Sequence, residues 1–246
     1  MRHNVPGNSQ RRIGLSLKDN RVLASLSSAD MKRLAPNLKE IQLEPEQTLF
    51  EPNDRITHAY FPWEGAVCLL AIDQDGTSTQ VATIGSEGVV GLGGILSGEP
   101  SFTRQIVLFE GRGMRIARNP LVAAVSASET LRDTLMIHAD AFTARSLQVV
   151  ACNALHSVEE RLARWLLTAM DRSGKPTLPI THRALADMLA VQRTTITLVL
   201  RMMSSAGLIR HERGSITILD RSGLEELTCE CYGIIKRVYD EAHSAH

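Results

Sequence analysis

Aromatic side chains are scarce in this sequence, at 4% of its 246 residues, and neither charge is in excess. So few rings argue against a stacking platform for single-stranded nucleic acid. With a formal net charge of zero the whole chain is no polycation, so any basic footprint has to be local. No uninterrupted apolar run approaches the ~20 residues that span a bilayer, so no membrane partner is expected. The opening MRHNVPGNSQRRIGLSLKDN is polar and lacks an apolar core segment, which is not the pattern of a secretory signal; residues 1–20 read as a loose tail. Four cysteines, Cys68, Cys152, Cys229 and Cys231, form no CxxC pair and no regular framework. Without an export signal, reduced thiols in a cytoplasm are expected.

What is present is a globular composition, 43% hydrophobic and 22% charged, long enough for one large domain or two ordinary ones. Ser28 is a candidate cap for a helix starting near Asp30 and ending at Pro36. From about residue 40 to 118 the texture is that of short strands. GAVCLLAI and TQVATIG flank the turn signal DQDGTS, and QIVLFE and GMRIA form a second such pair across Glu110-Gly111-Arg112-Gly113. Many short strands punctuated by turns read as a β-sandwich, jelly roll or barrel. The intervening GSEGVVGLGGILSGEP holds six glycines, read first as tight turns. Pro120 opens a short helix over 120–127.

From about Glu129 to His156 there is neither Pro nor Gly, which predicts a helix about 40 Å long. Leu131, Leu135, His138, Phe142, Arg145, Val149 and Cys152 recur at alternating spacings of four and three, a coiled-coil-like seam. The same residues would also suit a helix packed on its own β-domain. Ser157-Val158-Glu159-Glu160 matches a capping box, so a new helix and a domain boundary fall there.

The stretch LAVQRTTITLVL reads locally as a strand, because β-branched residues crowd it. Its longer period says otherwise. With Thr181 as N-cap and His182 as the first position of a helix-turn-helix, Leu185, Leu189, Val191, Ile196 and Val199 fill the apolar fourth, eighth, tenth, fifteenth and eighteenth places. Ala186 supplies the small residue at the fifth. Ala190 stands at the ninth, in the turn, where glycine is usual. Ile196, Val199, Leu200 and Met203 share one helical face. LIRHERGSITILD then reads as two short strands around Arg213-Gly214, the wing of a winged helix-turn-helix.

Double-stranded DNA is the partner this chemistry suits. Gln192, Arg193, Thr194, Thr195 and Thr197 are the candidates for base edges in the major groove. Thr181, His182, Arg183, Arg201 and Arg213 are the candidates for phosphates, contacts that fix register rather than sequence. Residues 157–221 hold ten Lys/Arg against six Asp/Glu, so the local charge is positive while the rest of the chain is negative.

At these motifs the sequence resembles a Crp/Fnr-type transcription regulator over nearly its whole length. The resemblance is carried by HAYFPWEGAVCLL, EGVVGLGGIL, ACNALHSVEERLARWLL, and LADMLAVQRTTIT through AGLIRHERGSITILDRSGLEELTCECY. It implies an α+β architecture: an effector-sensing jelly roll of the cyclic-nucleotide-binding type with flanking helices (21–127), a long dimerisation helix (128–156) and a winged helix-turn-helix DNA-binding domain (157–246). It also implies a homodimer on a palindromic operator, with Leu131, Leu135, His138, Phe142 and Val149 as dimer contacts. RNA polymerase and a small-molecule effector are further partners expected of such a regulator. Cyclic-AMP-binding members carry a glutamate in the Gly-rich loop and an arginine followed by Ser or Thr; here Leu92 and Gly93 stand where the glutamate is expected, and Gln105 follows Arg104. Iron–sulfur members use an N-terminal cysteine cluster, and the first 67 residues here hold no cysteine. In the recognition helix Arg193 matches a base-contacting arginine of the family, whereas Thr194 and Leu198 replace a glutamate and an arginine.

Other sites are weighed against this reading. Were Cys229 and Cys231 both on one helix, their side chains would point ~200° apart, so a shared metal ion is not expected. Cys68 and Cys152 read as small buried hydrophobes, and His138 and His156 as packed or solvated. A cupin enzyme would need a histidine cluster on its strands, and His58 is the only histidine between 40 and 118. No nucleophile–base motif is found, so neither catalytic activity nor a cofactor is expected. A sensor module acting through protein contacts is the alternative, and the capped helix and wing weigh against it.

Overall fold

The computed structural model describes residues 19–244, so the tail reading of 1–20, its last two residues apart, lies outside the described residues. Two short helices, α1 (Arg21–Ala24) and α2 (Ser28–Leu34), lead in. The cap of α2 is Ser27, not Ser28: its Oγ accepts the Asp30 N–H at 3.1 Å. A 3-10 turn at Ala35–Asn37 ends the helix at Pro36, which has no N–H to continue it.

Seven strands follow: β1 (Lys39–Leu43), β2 (Thr48–Phe50), β3 (His58–Pro62), β4 (Ala66–Ile72), β5 (Ser78–Ile84), β6 (Arg104–Phe109) and β7 (Gly111–Ala117). They form two antiparallel sheets, ordered β1-β7-β3 and β2-β6-β4-β5. The β4–β5 hairpin is as expected, its turn held by the Asp73 carboxylate accepting the N–H groups of Asp75 and Thr77 at 3.0 and 2.8 Å. The expected β6–β7 pairing is not. These strands belong to different sheets, β6 with β4 and β7 with β3, and Glu110 alone separates them. Gly111 makes this corner possible, since a Cβ there would lie 2.0 Å from the Glu64 carbonyl oxygen. Two apolar runs flanking a glycine turn read alike whether the chain reverses in one sheet or crosses to the next.

The glycine-rich segment becomes a short helix, α3 (Leu92–Ser97), between the left-handed Gly91 and Gly98. Close approach joins turning there: a Cβ on Gly91 would sit 3.0 Å from the His58 carbonyl oxygen. Then come α4 (Arg118–Ser126) and the long α5 (Glu129–Leu155), capped by Ser128. The sheets, α1 to α4 and the inner side of α5 enclose two buried clusters, a larger one through Phe61, Met114, Ile116, Leu131 and Leu135 and a smaller one through Leu43, Val67, Ile84 and Val107.

The capping box at Ser157 forms in full and starts α6 (Val158–Ser173). After it come β8 (Thr177–Leu178), α7 (His182–Leu189), α8 (Arg193–Ser205), the hairpin β9 (Ile209–Glu212) and β10 (Ser215–Ile218), then α9 (Arg221–Leu227) and α10 (Cys231–Ser244). The wing is three-stranded, β8 adding to β10 beside the two strands expected. A second core joins these elements through Leu166, Leu185, Ile196, Leu200 and Ile216. The two units touch: Trp165 Nε1 donates to Gln80 Oε1 at 2.9 Å, and α10 packs along α5.

One expectation is corrected here. Leu131, Leu135, His138 and Arg145 are buried against the chain's own β-domain, with Phe142 and Val149 half-buried beside them. That seam faces inward. The large apolar residues of α5 left exposed are Met136, Leu147, Val150 and Leu155. At 100° per residue, Met136, Leu147 and Val150 cluster on the opposite side, with exposed Thr143 and Ala154 in the same stripe.

Candidate DNA interface

Thr181 caps α7 by accepting the Ala184 N–H at 3.1 Å. The turn that follows hinges on Ala190, which takes the left-handed φ of 51° that glycine would adopt more readily. The Arg161 guanidinium of α6 donates to the Leu189 carbonyl and anchors this corner from below. Val191 N–H bonds back to the Ala186 carbonyl at 3.0 Å, and Gln192 then takes the N-cap position of α8 without capping it, its exposed side-chain Oε1 accepting from the Thr194 hydroxyl at 3.5 Å.

Ile196, Val199, Leu200 and Met203 are buried, which fixes the opposite face outward. That outer face consists of Arg193, Thr194, Thr197, Leu198 and Arg201, a continuous arc of the helix. Thr195 does not join it: it lies on the flank and is half-buried. Thr197 faces outward but its hydroxyl donates to the Arg193 carbonyl at 3.0 Å and lies 3.2 Å from His182 Nδ1. Leu198, absent from the expected contacts, is 60% exposed in the middle of the face. A search for polar base readers passes over leucine, although an apolar side chain suits a thymine methyl.

Of the expected phosphate contacts, Arg201 and Arg213 are exposed, Arg213 at the tip of the wing. Arg183 is exposed and paired with Asp187 at 3.0 Å. His182 is half-buried with its ring 5.4 Å from that of His211. Burial, then His211, Arg193 and Arg201, hold its imidazole below the ordinary histidine range, so it is neutral at neutral pH.

A profile described as a Crp-like helix-turn-helix domain matches residues 160–227, and one described as a cyclic nucleotide-binding domain matches 40–127. Over 182 residues the chain is 30% identical to the transcriptional regulator SdrP of Thermus thermophilus, covering 72% of this chain and 85% of that protein. The chain belongs to the Crp/Fnr family of transcription regulators. The global nitrogen regulator of Synechocystis is 23% identical over 215 residues, 82% of this chain and 94% of that one. Among solved structures, a Crp/Fnr-family regulator from Eubacterium rectale matches with a TM-score of 0.67 at 21% identity, covering 84% of this chain and 96% of its own. A Crp/Fnr regulator of Thermus thermophilus matches at 0.63 and 24%, covering 77% and 97%. At these identities the structural likeness establishes the fold, and DNA binding is assigned to the unit that the Crp-like helix-turn-helix profile matches.

In this Crp/Fnr chain the β-domain holds a cavity of about 550 Å³ between the Gly-rich segment, the β-sheets and the inner side of α5. Gln105, Ser101 and Thr103 supply polar groups to a largely apolar wall that also carries Glu99, His138, Thr143 and Ser146, and the buried Gln105 Oε1 has no hydrogen-bond partner. Arg104 is turned away, paired with Glu51 at 2.8 Å. At the cavity's edge the buried Glu87 carboxylate meets Arg145 of α5 at 3.4 Å and Arg172 of α6 at 3.1 Å. Burial alone would raise this carboxyl, but Arg172, Arg145 and backbone N–H groups hold it below its usual range. His138 packs against the first helices, its Nε2 3.3 Å from Ser25 Oγ. Cys68 is fully buried, and burial pushes its thiol up to about 12.

The cysteine expectation also changes. Cys229 precedes α10 and Cys231 is its first residue, so the helical argument that separated them does not apply. The structure brings both to Cys152 and His156 at the end of α5. Four residues scattered over 80 positions carry no spacing signal, so the sequence could not reveal this cluster. Among the described residues, no helix is long and apolar enough to cross a membrane.

Proposed function

We propose that this regulator works as a homodimer on a two-fold symmetric DNA site, and that a small molecule in the β-domain cavity sets the geometry of the dimer. The observation that carries the reading is the two-sidedness of α5. Its outer side bears the exposed stripe through Met136, Leu147 and Val150, while its inner side, through His138, Phe142 and Arg145, walls the cavity. An apolar stripe at near-heptad spacing, repeated on a second copy, makes a coiled-coil contact. The exposed outer face of α8 then meets the major groove twice, the two copies ~34 Å apart.

In this reading Gln192, Arg193, Thr194 and Leu198 read base edges, with Thr197 limited by its bond to the backbone. Thr181, His182, Arg183, Arg201 and Arg213 hold phosphates. Residues 21–127 form the sensing unit, 128–156 the dimer helix and 157–246 the DNA-binding unit. RNA polymerase is the partner through which a bound dimer acts on transcription. The effector is a largely apolar molecule with a hydrogen-bond donor for Gln105. A cyclic nucleotide is a poor fit, because Arg104 is engaged by Glu51 and no glutamate stands at Leu92 or Gly93. Effector control requires different affinities for two dimer states, and the Glu87–Arg145–Arg172 cluster links the cavity edge to α5 and α6.

Selection of bound sequences from random duplex DNA, followed by gel shift at two salt concentrations, tests the reading. A two-fold symmetric site is expected to be enriched, with affinity falling as salt rises. If no sequence is enriched, with or without cell extract as a source of effector, the reading fails. Sedimentation of a Leu147→Glu, Val150→Glu variant tests the dimer: a folded monomer is expected.

A further inference from the structure

Cys152 and His156 lie at the last turn and C-cap of α5, on one side of the helix. Cys229 and Cys231 flank Glu230 where the chain turns from α9 into α10. The three sulfurs and a His156 ring nitrogen all lie within 4.8 Å of one another. Cys152 Sγ and Cys229 Sγ are 3.5 Å apart, and His156 Nδ1 is 3.6 Å from Cys231 Sγ. A tetrahedral ion with metal–sulfur bonds of ~2.3 Å holds its ligand atoms about 3.8 Å apart. The cluster therefore has the size of a four-coordinate site.

Its surroundings point the same way. The second ring nitrogen of His156, Nε2, is 3.3 Å from a Glu230 carboxylate oxygen, which would orient the imidazole with Nδ1 toward the centre. Gln148 Nε2 donates to Cys231 Sγ at 3.1 Å, and Arg164 Nε donates to Cys152 Sγ at 3.2 Å. Arg161 and Arg164 are both buried, and among the described residues neither is paired with a carboxylate. Arg161 Nε is buried with no hydrogen-bond partner at all. Two buried guanidiniums beside neutral thiols are costly. Three thiolates, a neutral imidazole and a divalent cation carry a net negative charge, which offsets them.

We propose that Cys152, His156, Cys229 and Cys231 bind one divalent ion of the zinc class in a closed Cys3His site. Three sulfurs and one nitrogen in tetrahedral array select zinc over the oxygen-seeking cations, and four protein ligands leave no open position, as in structural sites. The ion joins the end of α5 to the start of α10, and thus fixes the DNA-binding unit to the long helix at the hinge. This holds whether or not the dimer and effector readings are right, since its readout is the metal.

The test uses the full-length chain, expressed in zinc-supplemented medium and purified without chelator, with metal measured per chain. One zinc per chain is expected. The metal-free protein titrated with Co2+ is expected to develop thiolate-to-cobalt charge-transfer and tetrahedral ligand-field absorption, saturating at one equivalent. Cys229→Ser is expected to lose the charge-transfer band in part and the zinc on dialysis, while Cys68→Ser keeps both. Because Cys229→Ser lies in a buried cluster and can fail to fold, Glu230→Gln serves as the second variant. Its side chain is 69% exposed, and losing it is expected to weaken the metal roughly 10–100-fold with the fold intact. Absence of zinc together with absence of cobalt–thiolate absorption overturns the proposal. So does zinc that Cys229→Ser leaves unchanged, or a Cys152–Cys229 disulfide in protein isolated without air.

Discussion

The recognition helix α8 and the long helix α5 each bury one face, yet only one of them could be oriented from its sequence. In α8 the residues that cover Ile196, Val199 and Leu200 come from α6, α7 and the adjoining wing, so motif spacing fixes which side is buried. In α5 the inward partners include β5 and α1, which lie far back in the chain, and apolar residues occur on both sides of the helix. Periodicity says that a face is covered; it does not say by what. Where the cover is local the sequence contains the answer, and where the cover is distant it does not.

The largest expected effect concerns the charge on the inner side of α5. Glu87→Gln leaves Arg145 and Arg172 facing one another in a buried site, with an expected loss of roughly 3–5 kcal/mol in chemical denaturation. Since the Glu87 carboxyl is held below its unfolded value, its stabilisation is present above the ordinary glutamate range and is lost as pH falls through the lowered value. The wild type is therefore expected to lose stability more steeply in acid than Glu87→Gln; equal slopes would break the argument.

Next is the contrast between the two sides of the same helix. Leu131→Ala, in the core, is expected to cost roughly 2–5 kcal/mol of unfolding free energy. Leu147→Ala, on the exposed stripe, is expected to change the unfolding free energy of the isolated monomer by no more than about 0.5 kcal/mol. Similar losses at both positions, measured below the concentration at which chains associate, would refute the two-sided description.

On α8 the expected changes are smaller and are read in binding. Arg193→Ala is expected to cost ~1–3 kcal/mol on the selected DNA site and to relax base choice at one half-site position. Arg213→Ala is expected to weaken all sequences alike and to shallow the salt slope by about one. Uniform weakening by Arg193→Ala would remove it from the base contacts. Smallest of all, Ala190→Gly relieves the left-handed backbone at φ 51° and is expected to stabilise by up to about 1 kcal/mol, read as a higher denaturation midpoint.

Much of the DNA face was legible because it follows from local rules. Thr181 caps α7 and Ser157 closes a capping box as their neighbours dictate. Ala190 was marked as the odd residue of the turn, and its positive φ explains why glycine is usual there. Two placements on α8 do not follow from residue type: the angular position of Thr195 puts it on the flank, and the apolar Leu198 stands exposed in the middle of the outer face.

By itself, then, the sequence determined the succession of units, the helix starts at Ser157 and Thr181, the winged helix-turn-helix and the basic character of its surroundings. Each of these depends on residues within one or two turns of each other, where spacing translates directly into geometry. Only the tertiary structure decided that β6 and β7 part into different sheets, that the Leu131 seam faces inward, and that Cys152 and His156 meet Cys229 and Cys231. Those outcomes depend on contacts between segments distant in the chain, which are selected by the packing of the whole core and which no pattern within either segment names.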